Sequence, residues 1–190
     1  MKENLVQYLI CPKCSKDFSL KILEKKSNEI INGILICKKS HKFPIKKGIP
    51  RLVIDKEKIF VQTEDSFSSK WRNYNKTYHT KKWIDGQKKW FLERFEWKTE
   101  KKLKEFLKTC STVLDAGTGV GNSAKLFSSN PKSQVFAIDA SESIDFAYKK
   151  YGTIKNIHFL QADIRKLPFK KNFFDFICSD QVLHHTKDTE

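Results

Sequence analysis

Three cysteines and a histidine stand in two short pairs early in the chain, C-P-K-C at positions 11–14 and C-K-K-S-H at positions 37–41. Cys11, Cys14, Cys37 and His41 offer three thiolates and an imidazole, which is a donor set for a tetrahedral zinc ion. The other reading of Cys11 and Cys14 is a pair of reduced surface thiols. A second stretch with chemistry in it is V-L-D-A-G-T-G-V-G at positions 113–121. Gly117, Gly119 and Gly121 follow an apolar run and Asp115. Residues without a Cβ let the chain turn sharply out of a buried strand and let a ligand lie against the main chain. The spacing is not that of a dinucleotide fingerprint, whose third glycine would fall at Asn122. Asp139, about twenty residues further on, is placed to reach ribose hydroxyls. His184 and His185 add two imidazoles, a side chain suited to acid–base work.

These residues need elements to position them. Between the two Cys pairs, Phe18, Leu20, Ile22 and Leu23 and then Ile30, Ile31, Ile34, Leu35 and Ile36 read as two short strands, with Asn32-Gly33 as the bend between them. A unit of roughly 55 residues with so little core needs a staple, and a metal ion provides one. Residues 55–66 are polar and carry little pattern, so they read as a connector. Ile84, Phe91, Phe95, Leu103, Phe106 and Leu107 recur at helical spacing and give two helices ahead of the glycine loop. Trp83, Trp90 and Trp97, seven apart, fall on one helical face and read as packing residues. Beyond the loop, Gln134–Asp139 and Ile157–Gln161 are strands. Between them lies a helix that Ser141 can cap, that carries Ile144, Ala147 and Tyr148, and that stops near Gly152. A fourth strand runs through F-D-F-I-C-S, positions 174–179.

Acid-x-Gly-x-Gly-x-Gly after a first strand resembles motif I of the S-adenosylmethionine-dependent methyltransferases with a Rossmann-like fold. L-P-F at 167–169, F-D-F-I at 174–177 and V-L-H-H at 182–185 are similar to segments of the quinone-biosynthesis type of that family. The resemblance implies an α/β fold whose first four strands are present, and S-adenosylmethionine as cofactor. By the same resemblance Asp115, Gly117, Gly119 and Gly121 hold the methionine part and Asp139 the ribose. Asp163 takes the adenine amino group, Ala162 and Ile164 line the adenine pocket, and Ala116, Ala140 and Ser179 complete the set. His184 or His185 serves as a base on the acceptor, or the pair is a family signature kept for packing. A whole domain of the family has seven strands, so the sequence is expected to be a truncated or split form in which a partner chain supplies the rest.

F-P-I-K-K-G-I-P-R-L at 43–52 is similar to the F-P-I-x-x-G-I-P-x-L signature of a zinc-ribbon module that accompanies some methyltransferases and activates others as a free protein. Many members place a cysteine where Ser40 stands. Here either His41 fills the fourth position or the site has decayed. F-S-S-K-W-R-N-Y at 67–74 resembles a segment found ahead of the catalytic domain in such enzymes, where its aromatics cover the cofactor pocket or pack a helix. The expected organisation is a zinc-ribbon module over 1–55, a linker with pre-domain helices over 56–110, and an incomplete cofactor domain over 111–190.

The 190 residues carry a net charge of +15. Residues 1–110 hold 27 basic and 13 acidic side chains, whereas residues 111–190 hold 10 and 9. Such a first half attracts an anionic acceptor: RNA, a nucleotide-linked sugar or a lipid phosphate. Biased codon supply accounts for a lysine-rich chain equally well. Only Arg51, Arg72, Arg94 and Arg165 are arginine, which counts against RNA, because bidentate phosphate and guanine contacts favour that side chain. No long uncharged apolar run is present, and the odd cysteine count is not that of a secreted disulfide framework, so a cytoplasmic location is expected. Two function classes follow. One is a methyltransferase acting on a small-molecule, anionic or RNA acceptor, and the other is a non-catalytic zinc-ribbon interaction module.

Overall fold

The computed structural model describes residues 1–54 and 80–185. The connector and the F-x3-W-x2-Y stretch of the sequence reading lie outside the described residues.

After a 3-10 helix at Glu3–Tyr8, the strands β1 (Phe18–Lys26), β2 (Glu29–Cys37), β3 (Lys42–Lys46) and β4 (Ile49–Pro50) form an antiparallel sheet in sequential order. The hairpin turns at Ser27-Asn28, not at Asn32-Gly33. Ser27 adopts the positive φ of 54° that a tight turn requires. Asn32 and Gly33 sit inside β2, where the register against β1 slips between Ile22 and Glu24. A Cβ on Gly33 would come within 2.9 Å of the Lys21 carbonyl oxygen, so glycine there serves close strand approach rather than a bend.

Two helices follow. The first, α1 (Lys81–Arg94), is capped by the Thr80 hydroxyl, which accepts from Trp83 N, and α2 (Glu100–Leu107) by that of Thr99, which accepts from Lys102 N. The chain breaks between them at Glu96 and Lys98, both with positive φ. Trp97 therefore leaves the helical face of Trp83 and Trp90. It packs on Phe106, with ring centroids 4.7 Å apart, while Trp90 stays 42 % exposed. The expectation of one packed tryptophan face fails because the seven-residue spacing spans a helix end.

The second sheet is wholly parallel: β5 (Thr112–Ala116), β6 (Gln134–Asp139), β7 (Ile157–Gln161) and β8 (Phe176–Cys178), in the order β7-β6-β5-β8. The helix α3 (Asn122–Phe127) links β5 to β6, and α4 (Ser143–Tyr151) links β6 to β7. Strand order reverses beside β5, the point at which open α/β sheets bind ligands beyond their carboxyl ends.

Alternate residues of a strand face opposite sides of its sheet, and here the two sides meet different partners. Val113, Val135, Ala137, Ile157 and Phe159 pack against Leu103 and Leu107 of α2, Phe127 of α3 and Ile144 of α4. Leu114, Phe136, Ile138, Leu160 and Ala162 pack against Leu5, Leu9, Phe18, Ile30, Leu35, Phe43 and Ile45 of the Cys/His unit. The ribbon is thus the second covering layer of the parallel sheet, and the two share one core. Each aliphatic or aromatic side chain buried in that shared core contributes about 1.5–3 kcal/mol, so each part stabilises the other.

Polar ties clamp the two parts. Leu52 N donates to the Gln161 carbonyl at 2.7 Å and Ile10 N to that of Pro168 at 2.9 Å. Tyr148 donates its hydroxyl to Glu29 at 2.7 Å. The Lys2 ammonium donates to the carbonyls of Ile154, Lys155 and Ile157. Among the described residues no helix is long and apolar enough to cross a membrane.

Candidate functional site

Two constellations emerge, a Cys/His cluster under the ribbon and a glycine loop at the carboxyl end of the parallel sheet. In the first, Cys11, Cys14, Cys37 and His41 point their ligand atoms inward, all within 4.8 Å of one another. Cys11 Sγ is 3.5 Å from His41 Nδ1, Cys37 Sγ is 3.4 Å from the same nitrogen, and Cys14 Sγ lies 3.6 Å from Cys37 Sγ. A tetrahedral zinc bound at about 2.3 Å to sulfur and about 2.0–2.1 Å to nitrogen holds its ligand atoms about 3.4–3.8 Å apart. The four residues fit that ion. Each pair forms a tight backbone knuckle: Ser15 N donates to the Cys11 carbonyl at 2.7 Å, and Ser40 N to that of Cys37 at 2.8 Å. Ser40, exposed with a φ of 60°, occupies the turn and leaves the fourth ligand position to His41.

In the second, β5 delivers Asp115 and Ala116 into the loop. Gly117, Gly119 and Gly121 all have positive φ, at 88°, 55° and 84°. A Cβ on Gly117 would stand 2.2 Å from a methyl of Val182, and one on Gly121 would be 3.0 Å from the Ala147 Cβ. The loop is therefore close to neighbours on its protein side and keeps a bare main chain. Gly117 N and Thr118 N both donate to the Ile138 carbonyl at 2.9 Å, which ties the loop to β6.

Asp139, at the end of β6, completes the turn. Its Oδ2 accepts from Gly119 N at 2.9 Å, and its Oδ1 from Ser141 N at 2.9 Å and Ser141 Oγ at 2.7 Å. Asp139 and Ala140 are partly exposed. Ser141 caps through this network, while the N-cap position of α4 itself is Glu142.

Asp115 is buried, at 3 % exposure. Thr118 Oγ1 and Ser123 Oγ donate to its Oδ2 at 2.6 and 2.7 Å. Burial, only partly offset by these hydrogen bonds, pushes its carboxyl up to about 6. Sequence reasoning found Asp115 but not its two hydroxyl partners, whose signal is a threonine and a serine within one helical turn of the glycine loop.

The third group of expected residues follows β7. Ala162 is buried, and its N–H donates to the Asp139 carbonyl. Asp163 is 7 % exposed and accepts from Arg165, whose Nε and Nη2 lie 2.8–3.1 Å from its carboxylate. That pairing was invisible in the motif. Ile164 opens a short 3-10 helix.

On the fourth strand, burial and then the charges of Asp115 and Asp180 push the Cys178 thiol up to about 12. Ser179 Oγ is buried without a hydrogen-bond partner. Asp180 meets Arg94 Nε at 3.4 Å without the alignment of a hydrogen bond, and burial holds its carboxyl above the usual range. His184 is exposed, and with His185 it belongs to a 3-10 helix past the end of β8.

Two buried groups with shifted titration, His158 and Asp115, act on stability in opposite directions. Burial, with the nearby Lys2 and N-terminal charges, pushes His158 down to about 3, so the stability it contributes is present above pH 6.5 and is lost on acidification. Asp115 has the reverse sign: its contribution is present below its unfolded value near 4 and is lost as pH rises through about 6. Between pH 4 and 6 the two partly cancel. Asp115→Asn is therefore expected to steepen the loss of stability on acidification from pH 6 to 4 by about 1 kcal/mol per pH unit. Urea midpoints across that range check this, and equal slopes in the two proteins would contradict it.

Residues 114–190 match the family model described as Methyltransferase domain. That part of the chain is similar to methyltransferase domains. A malonyl-[acyl-carrier protein] O-methyltransferase of Legionella pneumophila is 35% identical over 74 residues, which are 38% of this chain and 26% of that protein. A ubiquinone/menaquinone biosynthesis C-methyltransferase of Wigglesworthia glossinidia brevipalpis is 37% identical over 71 residues, 34% of this chain and 28% of that protein. Among solved structures, a SAM dependent methyltransferase from Aquifex aeolicus is 32% identical, covers 42% of this chain and 45% of its own, and gives a TM-score of 0.39. The chain spans between about a quarter and less than half of the length of the curated relatives it matches.

Proposed function

We propose that this chain binds S-adenosylmethionine along the Asp115–Asp139 loop system and takes part in methyl transfer to a small-molecule or anionic acceptor, with a structural zinc ion held by Cys11, Cys14, Cys37 and His41. The observation that carries the reading is the three-glycine loop with positive φ at the carboxyl end of β5, held to β6 by Asp139. When bound, S-adenosylmethionine supplies a methyl group already activated by its sulfonium, so the protein's task is alignment and exclusion of water.

The bare main chain of Gly117, Gly119 and Gly121, with Ala116, receives the methionine end. Asp115, buried and fully engaged, shapes that loop from beneath rather than touching the ligand. Asp139 and Ala140 face the ribose. Ala162 and Ile164 flank the adenine side, where Asp163, anchored by Arg165, retains oxygen lone pairs for an amino group. The unpartnered Ser179 hydroxyl is a further polar contact. His184 and His185, beyond β8, are the acceptor-side bases if the acceptor is a weak nucleophile.

The basic excess of residues 1–110 favours an anionic acceptor, and five cysteines without a disulfide fit a reducing cytoplasm. The test is photo-crosslinking with methyl-tritiated S-adenosylmethionine, competed by S-adenosylhomocysteine. Labelling that competitor removes, in a peptide spanning 113–139, is expected. Labelling that is absent, or that competitor leaves unchanged, would refute the reading.

A further inference from the structure

The cofactor loop is braced by a residue from the ribbon. Arg51 follows β4, is only 17 % exposed, and pairs bidentately with Asp145 of α4 at 2.7 and 2.8 Å. The same Nη1 donates to Gln161 Oε1 at 3.2 Å. That contact orients the Gln161 amide, because with its oxygen facing the guanidinium its Nε2–H faces the Ala140 carbonyl, 2.8 Å away. Ala140 directly follows Asp139, whose own carbonyl is held by Ala162 N at 3.0 Å and whose carboxylate holds Gly119 N. Two consecutive carbonyls at the end of β6 are thus pinned by the end of β7, and one of the two pins is set by Arg51.

We propose that Arg51 is a positioning residue for the cofactor's ribose: through Gln161 it fixes the Asp139–Ala140 turn, so that the ribbon contributes to cofactor recognition as well as to the core. The inference rests on the cofactor reading above. A guanidinium suits the task, since its planar fork engages Asp145 and Gln161 at once, which a lysine ammonium at the same place does not do with the same geometry.

The test compares dissociation constants for S-adenosylhomocysteine and its 2′-deoxyribose analogue by titration calorimetry on the full zinc-loaded chain. Arg51→Ala and Gln161→Glu are expected to weaken S-adenosylhomocysteine about tenfold, the scale of one lost hydrogen bond to a buried polar group. Both variants should affect the deoxy analogue less, so that discrimination between the two ligands collapses. Gln161→Glu keeps a partner for Arg51 and removes the N–H that reaches Ala140, so it decides the matter if Arg51→Ala fails to fold. Tyr148→Phe cuts another tie between ribbon and sheet without leading to Asp139, and it should retain wild-type discrimination. Wild-type discrimination in Gln161→Glu, or an equal collapse in Tyr148→Phe, would overturn the proposal. Failure of the wild-type chain to bind S-adenosylhomocysteine at all would sink the cofactor reading itself.

Discussion

Removing the proposed zinc ion is expected to unfold the parallel sheet together with the ribbon, in one transition. Cys11 and Cys37 belong to the same buried cluster as Leu114, Phe136, Ile138 and Leu160, so the ligands of the proposed ion and one face of the sheet are a single packed body. Structural zinc contributes about 10–16 kcal/mol in small zinc-binding units, whereas a whole domain is stable by about 5–15 kcal/mol. Loss of the ion therefore takes away an amount as large as the entire margin. Dialysis against a strong chelator, or Cys37→Ser, should collapse the near-ultraviolet circular dichroism and expose the amides of Leu114, Phe136 and Ile138 to hydrogen exchange. Protection of those amides in the metal-free chain would show that the sheet stands alone and that its cover is dispensable.

Asp139→Ala is expected to abolish cofactor binding at accessible concentrations, a loss of at least about a hundredfold. The carboxylate holds Gly119 N, Ser141 N and Ser141 Oγ together and, in the proposed reading, faces the ribose as well. Hydrogen bonds to a charged group contribute about 1.5–3 kcal/mol each, so losing the loop contact and the ligand contact together exceeds a factor of one hundred. The fold should survive, because Asp139 lies at a partly exposed strand end outside both apolar clusters. Equilibrium dialysis with labelled S-adenosylmethionine reads the loss, and circular dichroism confirms the fold. Wild-type affinity in a folded Asp139→Ala chain would remove this residue from the site.

Much of the second half was legible because local signals agreed with one another. Gln134–Asp139 is an apolar run between polar ends and Ile157–Gln161 is apolar but for His158 before its polar end, close to the pattern of strands buried on both faces, and the structure returns those bounds. The same pattern cannot name what covers each face. Phe136 and Ile138 announce a neighbour, yet nothing in their spacing points to Leu9 or Phe43 as that neighbour. The hairpin turn was misplaced because Asn-Gly is a strong turn signal locally, whereas pairing across the bulged β1–β2 register put Gly33 inside a strand. In the site, residue types were legible but their partners were not. Asp163 is held by Arg165, and Asp115 by Thr118 and Ser123. The link from Arg51 to Gln161 spans 110 residues of chain, a distance over which a single sequence carries no pairing information.

The central claim is that the Asp115–Asp139 loop system is a cofactor site, and calorimetric titration of the zinc-loaded chain with S-adenosylmethionine tests it most directly. The account predicts saturable, one-to-one binding with a micromolar dissociation constant, on the order of −8 kcal/mol, competed by S-adenosylhomocysteine. A folded, zinc-loaded chain that gives no heat and shows no competition would contradict it. The parallel sheet would then be a scaffold for the ribbon's interactions rather than a place where a methyl donor binds.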